Sequence, residues 1–268
     1  IQMFLKDRLF NYKSHSNPYP ILEIKNFLTS NEAKEAVEIL KKSSFDEMVM
    51  SGRKNIRKGT TEFSNFINKH KIFRDLYNFL NDKEQYLYLF DVLTKISKDS
   101  RLKYNALQIS NKFDKNYYEY KRDIHSGNSF KKLLNFIKLK TPYLIKRLFT
   151  SLYFEMSFSF AKKGYKLKTH RDKNTRIIVI LIYLNDLEEK DGGYLEIYSD
   201  ENLENNNVKN ENNFDLKMKI KPESGKLVAF ISNPNSFHNV SEIKHHDVER
   251  FFCYGSYSSN NEIIWKKI

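Results

Sequence analysis

The chain has 268 residues, 15% of them aromatic and 29% charged, and a formal net charge of +13. Its aromatics fall in runs with Ile, Leu and Val, which excludes a disordered composition and allows one large domain or a core with a helical extension. The lysines are scattered rather than gathered, so the charge alone does not argue for a nucleic-acid partner and none is expected. A single cysteine, Cys253, rules out an internal disulfide framework and points to a reducing, cytoplasmic setting. Lys6, Asp7 and Arg8 break the first ten residues, which read as neither signal peptide nor membrane span.

In chain order, Asn17 to Pro20 reads as an irregular entry into a short alternating strand, Ile21 to Ile24. Thr29 precedes Glu32 at capping-box spacing, and Ala33, Ala36, Val37 and Leu40 then recur at helical intervals, predicting a helix that packs on a sheet. Residues 44–62 show little periodicity and read as a loop. From Lys71 an apolar stripe of Ile72, Phe73, Leu76, Phe79 and Leu80 predicts a helix, and a second follows the break at Asn81-Asp82, over Tyr86 to Leu93. A further helix is expected over about Ser129 to Leu139. These stripes read as core rather than as cofactor contacts.

From Leu152 the texture changes to short β-branched and aromatic runs: 152–160, 176–184, 194–198, 214–220, 226–231, 240–243 and 250–257. Seven short strands without intervening helices predict a β-sandwich or jelly roll. The Asn- and Glu-rich residues 199–213 read as a solvated excursion between two strands. The expected class is therefore α+β with a mainly β core: one domain over 1–268, with 1–150 as helix-rich support and 151–268 as the core.

His170-Arg171-Asp172 lies just before the strand beginning at Arg176, and His238 at the start of a later one. Two imidazoles and a carboxylate are the ligand set of a facial triad, which leaves positions open on an octahedral iron for a chelating cosubstrate and for oxygen. Alternate residues of an extended segment point the same way, so H-x-D can aim both side chains at one ion, and the second histidine must come from another strand. By itself an H-x-D pair is weak evidence. Its neighbours strengthen it: Gly164 to Thr169 before it, Ile180 to Asn185 and Asp191-Gly192-Gly193-Tyr194-Leu195 after it, Pro222 to Phe230 before His238, and Arg250 twelve residues beyond.

This ordered series, over about residues 152–258, resembles the prolyl 4-hydroxylase-like branch of the 2-oxoglutarate/Fe(II)-dependent dioxygenases. The resemblance implies a double-stranded β-helix with His170, Asp172 and His238 on Fe(II). It places Arg250 and Tyr183 on the distal carboxylate of 2-oxoglutarate and makes Leu195 an apolar lining residue of that pocket. It also implies O2 as co-reactant, ascorbate as a reductant, and hydroxylation rather than halogenation, since halogenating relatives lack the carboxylate that Asp172 supplies. Many relatives carry a Tyr about ten residues before the first ligand histidine, where this chain has Phe160. That departure predicts a missing hydroxyl beside the cosubstrate.

The implied substrate is a prolyl residue in a peptide or protein, with a free amino acid or other small molecule as the alternative. An isomerase-type or non-catalytic cupin-like jelly roll would share the fold without needing Arg250. A base-repair variant is disfavoured, because its paired arginines flanking Asn and Thr are missing around Arg250. His245 and His246 read as solvated, and Cys253 as buried. Oligomeric state is not readable from the sequence.

Overall fold

The protein is described by a computed structural model at residues 7–45, 52–97, 113–115, 151–200 and 214–260. Its strands form two stacked antiparallel sheets. The major sheet runs, edge to edge, β1 (Lys13–His15), β2 (Ile21–Ile24), β9 (Leu227–Ile231), β6 (Arg176–Tyr183), β11 (Arg250–Ser259), β4 (Leu152–Ala161) and β3 (Arg53–Arg57). The minor sheet runs β5 (Leu167–His170), β10 (Phe237–Val240), β7 (Leu195–Asp200) and β8 (Phe214–Ile220). Among the described residues four helices pack against the outer face of the major sheet: α1 (Ser30–Lys41), α2 (Thr61–Lys69), α3 (Lys71–Leu80) and α4 (Lys83–Ile96). This is a double-stranded β-helix with a helical buttress, as the α+β expectation has it.

The alternation of side chains along the strands explains why their sequences look as they do. In β6, Ile178, Ile180 and Ile182 join the core under the helices, while Val179, Leu181 and Tyr183 join the core between the sheets. Both faces are buried, so the strand reads as an unbroken apolar run. Strand β9 divides likewise, Leu227, Ala229 and Ile231 outward and Val228 and Phe230 inward. Under the helices, Phe158 stacks on Phe63 at 5.3 Å between ring centroids and meets Phe73 at 4.5 Å.

The capping box forms as its spacing predicts: the Glu32 amide donates to Thr29 Oγ1, and Thr29 N–H donates to Glu32 Oε2 at 2.7 Å. Asn81-Asp82 ends α3, and Asp82 caps α4.

Three local expectations need correction. Residues 44–62 are not one loop, since 53–57 form β3 and α2 begins at Thr61. The sequence of β3, Arg-Lys-Asn-Ile-Arg, hides its strand character because one face meets a polar cavity and only Ile56 enters the apolar core. The strand expected at 240–243 lies instead at 237–240; Ile243 is buried, but in a loop whose amide donates to the Tyr165 carbonyl. The short strands β1 and β5 were not anticipated. The helix expected near 129–139 lies outside the described residues, as do 201–213 of the polar excursion. No helix among the described residues is long and apolar enough to cross a membrane.

Candidate active site

His170 is the last residue of β5 and sits directly opposite His238 of β10 in the minor sheet. Asp172 follows two residues after His170, beyond the strand end. Ligand atoms of the three lie within 4.8 Å of one another, and the two imidazole rings are 4.5 Å apart between centroids. The H-x-D pair and the distant histidine therefore meet, as expected from the sequence.

Each imidazole is held by a backbone carbonyl. His170 Nδ1 lies 2.7 Å from Lys168 O and His238 Nδ1 lies 2.9 Å from Ser236 O. With Nδ1–H donating, Nε2 is left with its lone pair free, the tautomer a metal ligand needs. Burial, helped by the nearby His170 and against the pull of the Asp172 charge, drops the His238 pKa to about 4, so the ring is neutral at physiological pH. Asp172 Oδ1 accepts from Arg176, while Oδ2 is buried without a hydrogen bond, 3.6 Å from His238 Nε2. A buried, orphaned carboxylate oxygen beside two imidazole nitrogens is a donor set that fits a divalent transition metal.

The triad opens into a cavity of about 680 Å³ between the sheets. Arg250, the first residue of β11, lines it and is 1% exposed, yet none of its three guanidinium nitrogens has a hydrogen-bond partner among the described residues. It is held by aromatic faces instead, with Cζ 4.3 Å from the Phe252 ring and 5.3 Å from that of Tyr183. The Tyr183 hydroxyl is likewise buried and makes no well-formed hydrogen bond among the described residues; burial raises its pKa, and its closeness to the Arg250 guanidinium only partly offsets this. Leu195 lines the cavity too, following the Gly192-Gly193 turn. Both glycines have positive φ, and a Cβ on Gly192 would fall 1.9 Å from the Glu242 carbonyl oxygen. Only glycine lets this turn pass so close to that loop.

Phe160 does not stand where the missing hydroxyl was expected. It packs against Phe45 and Phe251 toward the helices, while its neighbours Ser159 and Ala161 face the other way. Tyr165, 1% exposed and 6.0 Å from Arg250 Cζ, is the tyrosine that lines the cavity. Sequence reasoning missed it, as well as Arg53, Arg176 and Tyr254 on the cavity wall. For β3 and β11, the period of two applied to 53-55-57 and 250-252-254 would have grouped them. His245 and His246 are exposed, and Cys253 is buried with its thiol pKa pushed up by burial.

Residues 156–257 match the family model described as 2OG-Fe(II) oxygenase superfamily. No curated protein matches the chain by sequence. Among solved structures, a prolyl 4-hydroxylase from Phytophthora capsici aligns at TM-score 0.51 and 12% identity, over 90% of this chain and 59% of that one. The chain thus spans less than two thirds of that protein. HygX from Streptomyces hygroscopicus, solved with nickel and 2-oxoglutarate bound, aligns at TM-score 0.50 and 11% identity, over 96% of this chain and 85% of that one. At such identities these likenesses speak for the fold. The family match covers the strands that bring His170, Asp172, His238 and Arg250 together, so residues 156–257 are similar to the 2OG-Fe(II) oxygenase superfamily in sequence and form the cluster on a double-stranded β-helix.

Proposed function

We propose that the chain is an Fe(II)- and 2-oxoglutarate-dependent dioxygenase that hydroxylates a C–H bond, with His170, Asp172 and His238 as the iron ligands and Arg250 and Tyr183 as the anchor of 2-oxoglutarate. The observation that carries this reading is Arg250: a buried guanidinium with three idle nitrogens, in the same cavity as the triad. A buried charge without a partner costs several kcal/mol, so such a group is expected to meet an anion in the working state. The distal carboxylate of 2-oxoglutarate suits it, because a planar guanidinium can bind both oxygens at once.

The Fe(II) centre would supply oxygen activation coupled to decarboxylation of 2-oxoglutarate, giving succinate and carbon dioxide. The chain's own contribution is geometric and electrostatic. Lys168 and Ser236 carbonyls fix which imidazole nitrogen faces the metal, and Arg176 holds Asp172 through Oδ1, leaving Oδ2 for the ion. Tyr183 can donate its hydroxyl proton to the carboxylate that Arg250 holds. Leu195, with Val179, Leu181, Phe230 and Val240, supplies an apolar wall that limits water beside the reacting centre.

For the substrate, a prolyl residue of a peptide or protein remains the leading assignment, in keeping with the fold likeness to a prolyl 4-hydroxylase. Free amino acids and other small molecules are the alternative. Anaerobic titration with Fe(II) and 2-oxoglutarate tests the core of the reading: a weak visible charge-transfer band is expected, and its absence from folded protein would overturn it.

A further inference from the structure

Besides Arg250 and the Asp172-bound Arg176, the cavity is faced by the guanidinium of Arg53, to which the proposed reading assigns no part. The strand registers place Arg53 of β3 and Arg250 of β11 opposite the same residue of β4, Ala161. Two strand spacings separate them, about 10 Å between backbones, and Ala161 puts only a methyl group in the row between. The Phe252 ring serves both, with its centroid 5.0 Å from Arg53 Cζ and 4.3 Å from Arg250 Cζ. Two fixed cations therefore stand side by side on one wall.

Arg53 is aimed rather than loose. Its Nη2 donates to Ser159 Oγ at 2.9 Å and more weakly to Ser157 Oγ at 3.4 Å, and both serines lie on the cavity-facing side of β4. Its Nε is buried without a partner. Burial lowers its pKa, with the charge of Arg250 adding to the effect and the nearby Tyr165 and Tyr254 hydroxyls working against it. Among the described residues no carboxylate pairs with it. The two carboxylates on the cavity wall are otherwise placed, Asp172 with Arg176 and Glu155 accepting from Ser256. Asn55 and Arg57, the next residues on the same face of β3, continue the polar stripe along the wall.

The cosubstrate does not supply the missing anion. On the proposed reading, on which this inference rests, one carboxylate of 2-oxoglutarate meets Arg250 and the other lies at the metal. A third anionic group must come from the molecule that is oxidised. We infer that Arg53, positioned by Ser157 and Ser159, binds a carboxylate of the substrate, so that the enzyme acts on a carboxylate-bearing molecule and not on a neutral prolyl segment. The carboxylate belongs either to a free amino acid or to an acidic side chain or C-terminus of a peptide; the recognising chemistry is the same.

The test uses protein loaded with Zn(II) and 2-oxoglutarate, which cannot turn over, and calorimetric titration with matched pairs. The probes are L-proline against L-prolinamide, N-acetyl-L-proline against its amide, and a proline-containing peptide with aspartate against the same peptide with asparagine. At least one carboxylate probe should bind about tenfold or more tighter than its amide, the margin expected of a charge-assisted pair. Which pair responds tells the free acid from the peptide. Arg53→Gln should erase that preference while changing 2-oxoglutarate affinity by less than about twofold, and Arg53→Lys should keep part of it. Equal binding of both members of every pair, or binding of none, would overturn the inference. So would a loss of about tenfold or more in 2-oxoglutarate affinity in Arg53→Gln, which would place Arg53 on the cosubstrate. Failure of the underlying reading shows separately, as wild-type protein that takes up metal but no 2-oxoglutarate.

Discussion

The two faces of the major sheet are made by the same strands and differ in almost everything else. Toward the helices, β4 and β11 present Phe154, Phe158, Phe251 and Tyr257, closely packed rings whose one polar tip, the Tyr257 hydroxyl, donates to the Leu80 carbonyl at 2.6 Å. Toward the minor sheet the same strands present Arg250, Phe252, Tyr254, Ser157 and Ser159. Of the eleven buried side-chain polar atoms without a partner among the described residues, seven belong to Arg53, Asp172, Tyr183, Arg250 and Tyr254, all at or against the cavity. Unsatisfied groups of this kind destabilise a fold. One face stabilises the sheet, and the other carries polar groups that the described residues leave unsatisfied, at the expense of stability.

The largest effect should come from His170. It is only partly buried and its one hydrogen bond goes to a local carbonyl, so His170→Ala should leave the apo melting temperature almost unchanged while succinate formation falls by about a thousandfold or more. A comparable loss of stability would break the division between the faces. The converse variant is Phe158→Ala, which removes a ring touching Phe63, Phe66 and Phe73. It should lower unfolding free energy by about 3–5 kcal/mol, measured in urea, with turnover per folded molecule near wild type.

Arg250→Met sharpens the comparison by its sign. Replacing a buried, unpaired guanidinium with an apolar side chain of similar length should raise the stability of apo protein by about 1–4 kcal/mol while 2-oxoglutarate binding is lost. Denaturant unfolding and calorimetry on the same variant check both halves. A destabilised Arg250→Met would mean that the guanidinium already has its partner in the free protein.

The contrast also explains what could be read from sequence. The helix-side core was legible because it obeys simple periods: 72-73-76-79-80 along α3, and runs of Ile, Val and Leu in β6 and β9. The triad was legible through its order along the chain and through Arg250. Strand β3 was not, because an edge strand facing a polar cavity loses the alternation that marks a half-buried strand. Phe160 misled for the same reason in reverse: counting residues back from His170 ignores the parity of β4, and parity decides which face a side chain joins. Tyr165 has no periodic signature, since it lies in the turn between β4 and β5.

The smallest effect concerns a buried cation that, unlike Arg250, is fully satisfied. Lys226 begins the approach to β9, is 2% exposed, and donates to Glu23, to Glu223 and to the Lys221 carbonyl. Burial pushes the Glu223 carboxyl up, but the hydrogen bond and charge of Lys226, with Lys25 assisting, outweigh it and hold the pKa below the usual carboxylate value. A carboxyl depressed in the folded state contributes stability that is complete above its unfolded pKa and disappears as pH falls through the folded one. Glu223→Gln should therefore cost about 1–2 kcal/mol at neutral pH, and the gap from wild type should close as pH falls below the ordinary carboxylate range. Arg250→Met should show no such convergence tied to that range, because the charge it removes has no carboxylate partner among the described residues. If both variants lost their difference from wild type over the same acid window, the distinction between a paired structural cation and an idle ligand-binding one would fail.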